Sequence, residues 1–161
     1  MSTDFGQGGT SGRGAGGGGA TKAPSSLRSL TVLVLVGMAA EFVFGTYVNV
    51  AVTLPSGGSS AQGSMPAMRA AMSNPAVLGH ILLGIAVVLG GVVLMGLAAQ
   101  SGNKSAAGFA ALGVGGLGAS AAAGMVFLMG GQAPMASFVM AMGFLLSFAS
   151  YFALLLAIQR Q

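Results

Sequence analysis

Four apolar runs alternate with polar stretches along the chain: Leu30–Leu54, Ala76–Ala99, Ser105–Gly130 and Met135–Ile158. Each reaches the length of about 20 residues that a helix needs to cross the hydrocarbon of a bilayer. Pro55, Pro75 and Pro134 punctuate the ends of the runs, where a missing N–H is tolerated. The stretch QSGNK joins the second run to the third, and GQAP joins the third to the fourth. Connections that short force neighbouring helices to run antiparallel. The longest connection, Pro55 to Pro75, is polar and rich in Gly and Ser. The pattern predicts an all-α integral membrane protein, a four-transmembrane-helix antiparallel bundle. Its helices fall at about 30–54, 76–99, 105–130 and 135–158, with an outer loop over 55–75.

The chain before the first run has a different character. Met1–Ser26 is low in complexity and glycine-rich, with the stretch QGGTSGRGAGGGGATKAPSS. Such a segment cannot repay the entropy of ordering. Residues 1–28 are therefore expected as a disordered cytoplasmic tail, and 29–161 as the membrane domain. The first apolar run is too long for the h-region of a signal peptide and lacks a clear A-x-A site, so it reads as an uncleaved anchor. A cleavage point near Met38-Ala39-Ala40 is the weaker alternative.

Composition sharpens the class. The chain is 54% hydrophobic and 5% charged, with a mean hydropathy of +0.86. Soluble domains carry about 25% charged residues, and a chain this short leaves too much of itself exposed to hide so much apolar surface from water. The bilayer is the expected solvent and the cell membrane the expected location. The net charge of +4 is spread over segment ends. Arg13, Lys22 and Arg28 precede the first run, Lys104 lies in the second connection, and Arg160 follows the fourth run. All fall on one side of a four-span topology, with Arg69 alone on the other. The positive-inside rule then puts both termini in the cytoplasm. The basic residues form no patch, so no nucleic-acid partner is implied. Without cysteine there are no disulfides, Cys-ligated metals or thiol chemistry. Without Trp, only Tyr47 and Tyr151 remain as interfacial aromatics.

Two ionisable side chains lie within the runs, Glu41 and His80. Burying either in hydrocarbon is expensive, so both are candidate functional groups. Glu41 lies roughly 17 Å in from Leu30, and an isolated carboxylate there must be protonated or paired. It is expected as a neutral hydrogen-bonding residue, a proton or ion site, or a contact with a partner subunit. His80 lies roughly 8 Å into the second helix. Counting from the run ends puts Asn49, Met125 and Met140 at the same depth and Glu41 deeper by about 10 Å. A direct Glu41–His80 salt bridge is therefore not expected. A ring of Asn49, His80, Met125 and Met140 is expected instead, as adaptable core or as ligands for haem iron or Cu(I). In the outer loop, MPAMRAAM spaces Met65, Met68 and Met72 along one helical face, either an interfacial helix or a copper site.

Small residues recur at helical spacing. Gly116, Ser120 and Gly124 share one face of the third helix, and His80, Gly84 and Gly91 one face of the second. Such faces let backbones approach closely, within the bundle or against a partner. On the fourth helix Gly143, Ser147 and Tyr151 form the expected bundle face, and Phe144, Phe148 and Phe152 a lipid-facing stripe. There is no phosphate loop, no HExxH, no carboxylate pair and no Ser/His/Asp set, which leaves no basis for classical hydrolysis.

The segments EFVFGTYVNVAVTLPSG and PAVLGHILLGIAVVLGGVVLMGLA resemble one half of haem A synthase or a related b-type four-helix membrane cytochrome. The resemblance covers about 90 residues in pattern. It implies His80 as an axial ligand of haem b and Glu41 as a catalytic or proton-handling carboxylate. Two positions depart from it. The fourth helix, SFVMAMGFLLSFASY, has Met140 where the family carries histidine, and Ile81 stands where an arginine follows the family's histidine.

Small size, short loops, glycine-rich faces and sparse chemistry point first to a non-catalytic accessory or assembly subunit of a membrane complex, plausibly respiratory. Its partners would be the lipid bilayer and either another membrane protein or further copies of the chain. The alternatives are a haem- or copper-binding redox protein using His80, and a small proton-coupled transporter or channel using Glu41.

Overall fold

The computed structural model describes residues 25–52, 69, 72–129 and 134–160. They form four helices: α1 Ser25–Ala51, α2 Pro75–Gln100, α3 Lys104–Met129 and α4 Pro134–Gln159. All four are long and apolar enough to cross a membrane. Large apolar side chains cover the outside, with Val43 67% and Val50 81% exposed. A surface of that kind is stable in lipid and not in water.

Local chemistry sets the helix ends. Asn74 caps α2 by accepting from the N–H groups of Ala76 and Val77 at 2.9 and 3.4 Å, ahead of Pro75 at the first helical position. Asn103 caps α3 by accepting from Ser105 and Ala106 at 3.0 and 3.1 Å. Between α2 and α3 the chain reverses over Ser101–Asn103, with Gly102 at φ 71°, a conformation that favours glycine. α1 begins at Ser25 and ends at Ala51, about a turn earlier at each end than the hydropathy run suggests. Residues 1–24 of the expected 1–28 tail, and most of the 55–75 loop, with Met65 and Met68, lie outside the described residues, whereas residues 25–28 form the first turn of α1; Met72 is described and 48% exposed.

Each helix packs on its chain neighbours and α1 closes on α4, so the antiparallel bundle has a square cross-section. α3 and α4 form the closest pair. A Cβ on Gly116 would lie 2.7 Å from the carbonyl of Gly143, and one on Gly143 would lie 2.8 Å from the carbonyl of Gly116. Ser120 donates to the Met140 carbonyl at 2.8 Å, and Ser147 to the Gly113 and Gly143 carbonyls, both at 2.9 Å. The Gly116–Ser120 face thus serves the bundle's own α3–α4 seam. Gly143, Ser147 and Tyr151 are buried, as the pattern predicted. Phe148 and Phe152 are exposed, whereas Phe144 is half-buried and stacks on Phe42 of α1 at a 6.0 Å centroid separation.

The core divides in two. The larger cluster includes Leu27, Val34, Met38, Val87, Leu94, Leu117, Tyr151 and Leu154. The smaller is built on Val48 and Val77, with Ile81 and Leu128 packed against it. Between them along the helices fall Glu41 and Gly45 of α1, His80 and Gly84 of α2, and Ser120 and Gly124 of α3.

Candidate functional site

Glu41 and His80 sit in that interval. α1 and α2 run antiparallel, and the same four-residue spacing separates Glu41 from Gly45 and His80 from Gly84. Each polar side chain lies over the partner helix's glycine. A Cβ on Gly84 would come 2.9 Å from Glu41 Oε1, and one on Gly45 would come 2.8 Å from His80 Cε1. A Cβ at either position would force the facing side chain to shift from the place it holds.

The two side chains meet there. His80 Nδ1 lies 2.9 Å from Glu41 Oε1, which corrects the expectation that the two residues make no direct contact. The physical reason is register. α1 ends at Ala51 and not Leu54, and α2 begins at Pro75, so Gly45 stands level with His80 and Glu41 with Gly84; Glu41 and His80 remain about one turn apart along the axis, and their side chains reach across it. Val48 against Val77 and Gly37 against Val87 belong to the same register.

The pair is mostly enclosed, with 13% of the Glu41 side chain and 29% of the His80 side chain exposed. The Nδ1–Oε1 approach is close in distance but out of line for an N–H···O bond, and Nδ1 has no aligned partner. Glu41 Oε2 is buried with no hydrogen-bond partner among the described residues. The His80 side chain keeps an open side, since 29% of it is exposed. An imidazole between a buried carboxylate and a more open face can take up a proton on one nitrogen and release one from the other.

The other expected members of the ring do not converge on His80. Asn49 is exposed at the end of α1. Met125 is 50% exposed on an outer face of α3, beside Ala121, Ala122, Val126 and Met129. The sulfur of Met140 packs at 3.5 Å from the Cβ position of Gly124. A haem iron or copper ion shared by these four residues does not fit this arrangement, because two of the donors turn outward. The described residues contain no group of three or more His, Asp or Glu placed to hold a metal ion.

Gly84 and Gly91, expected on one face with His80, serve different neighbours. Gly84 receives Glu41, while Gly91 receives the hydroxyl of Tyr151 and Leu117. Gly45 is the site residue that the sequence pattern did not single out, while Tyr151 was expected on the bundle face and lies there. Gly45 was legible only in retrospect, as the mirror of Gly84 in an E-xxx-G and H-xxx-G pair.

No family model, curated protein or solved structure matches this chain. The likeness to haem A synthase therefore rests on the two quoted segments alone.

Proposed function

We propose that the protein is a small polytopic membrane protein that handles protons through the Glu41–His80 pair, as a proton-coupled transporter or channel of the cell membrane. The carrying observation is the 2.9 Å approach of a carboxylate and an imidazole inside two apolar helices. Ionisable groups at membrane depth mark proton relays and ion pathways. Basic residues at the tail, at Lys104 and at Arg160 support cytoplasmic termini, which places His80 on the outward half of the path.

An accessory or assembly subunit is the second reading. The glycine faces that suggested a docking surface are occupied by the bundle's own helices, and that is why it stands second.

Reconstitution of the full chain in proteoliposomes tests the proposal. A pH gradient across the membrane is expected to drive proton flux above that of empty vesicles. Glu41→Gln keeps the shape and removes the proton-carrying group, and is expected to lower flux by at least about a hundredfold. Flux equal in wild type and Glu41→Gln would reject the proposal and return the accessory reading to first place.

A further inference from the structure

We propose that Tyr151 is the second station of a water-mediated proton path that starts at the Glu41–His80 pair and follows one stripe of α2. The inference rests on the proton-handling reading of that pair. Among the described residues the buried side-chain polar atoms without a hydrogen-bond partner are Glu41 Oε2, His80 Nδ1 and the Tyr151 hydroxyl. All belong to one stripe. His80 is on it, Gly84 receives Glu41, and Gly91 receives the Tyr151 hydroxyl. Spacings of four and seven residues place 80, 84 and 91 on one helical face, with Gly84 and Gly91 about 10 Å apart along the axis.

Tyr151 is fully buried. It reaches from α4 across the bundle, its ring resting against Gly113 of α3 at 2.6 Å from that residue's Cβ position. A phenylalanine would fill the same space without the hydroxyl. An unmatched buried hydroxyl costs about 1–3 kcal/mol, and tyrosine normally finds a partner. The bundle satisfies its other buried hydroxyls. Thr31 donates to the Leu27 carbonyl at 2.7 Å, Ser150 to the Leu146 carbonyl at 2.7 Å, and Ser147 to two carbonyls. The exceptions therefore gather where the stripe lacks side chains.

Water is the partner that suits such groups, since it donates and accepts. About three waters at hydrogen-bond spacing span the interval. The turn between the glycines carries Val87 and Val88, an apolar step that water crosses only transiently, so the path does not leak continuously. The tyrosine oxygen accepts a proton from the water on the Glu41 side as its hydroxyl gives its own to a second water on the side of the Ser101–Asn103 turn. One proton enters, one leaves, and nothing is oxidised or reduced. No other described ionisable group faces the stripe from the packed helices. Arg28, Lys104 and Arg160 are exposed at the opposite helix ends, Arg69 lies in the 55–75 connection, and Tyr47 is exposed on α1.

Proteoliposome flux and thermal unfolding, measured together on wild type, Glu41→Gln and Tyr151→Phe, test the path. Tyr151→Phe is expected to lose at least about tenfold in flux while its unfolding temperature is unchanged or raised. Flux at the wild-type level in Tyr151→Phe, with Glu41→Gln inactive, would remove Tyr151 and leave the pair standing. No difference between wild type and Glu41→Gln would remove both. A second measurement serves if Tyr151→Phe does not fold. The chain has two tyrosines, so Tyr47→Phe leaves Tyr151 as the sole tyrosine. Its hydroxyl, followed by infrared spectroscopy in heavy water, is expected to exchange within seconds. Protection lasting hours would overturn the path.

Discussion

Glu41 illustrates how one side chain depends on the absence of another. Its Oε1 stands 2.9 Å from the Cβ position of Gly84, so a methyl there must displace the carboxylate. Gly84→Ala is expected to reduce proton flux by about tenfold, the equivalent of about 1.4 kcal/mol in the barrier. The unfolding temperature should change little, because the carboxylate can swing aside. Gly45→Ala presses on the imidazole from the other side and should act in the same direction. A flux assay on the two variants, with the tolerant Gly96→Ala as control, checks this. Nothing lies within 4 Å of the Gly96 Cβ position. That Glu41 and His80 deserve attention was legible from their isolation in apolar runs. That they touch was not, because contact depends on where the helices end and on two side chains reaching across a turn, which residue counting from hydropathy ends cannot resolve.

At the scale of the element, glycines of one composition have opposite meanings. In α3, Gly116 and Gly113 are buried against α4, whereas Gly108, Gly115 and Gly118 have nothing within 4 Å of their Cβ positions. Gly116→Ala places a methyl against the Gly143 carbonyl and Ser147, which are backbone and close-packed side chain. Overpacking of that kind typically costs about 1–3 kcal/mol. Gly115→Ala and Gly118→Ala should cost nothing and gain about 0.5 kcal/mol through helix propensity. Unfolding of the three variants in detergent, side by side, measures the contrast. The small-residue spacing of Gly116, Ser120 and Gly124 was readable in the sequence. Which helix it would meet was not, since the same face suits a neighbour within the chain or a partner outside it.

For the whole molecule, the prediction concerns sidedness. The chain is free of cysteine, so single cysteines report without background. Cysteines introduced at Ser105, in the first turn of α3, and at Met72, ahead of α2, stand at opposite ends of the bundle. An impermeant thiol reagent added to intact cells should label Met72→Cys and spare Ser105→Cys. The reverse pattern would invert the topology, and with it the direction in which protons meet His80 before Glu41.

The number of long apolar helices among the described residues, their approximate limits, their antiparallel order and their apolar outer surface were determined by the sequence alone. These depend on run length and on connections such as Ser101–Asn103, and both are local properties. The tertiary structure alone decided that Glu41 meets His80, that Gly91 lies under the Tyr151 hydroxyl, and that Asn49 and Met125 turn away. Helices that are apolar on every side carry no stripe that announces which face turns inward. Their rotation and slide are chosen by close packing of small residues against one another, a property of pairs of helices and not of any one of them.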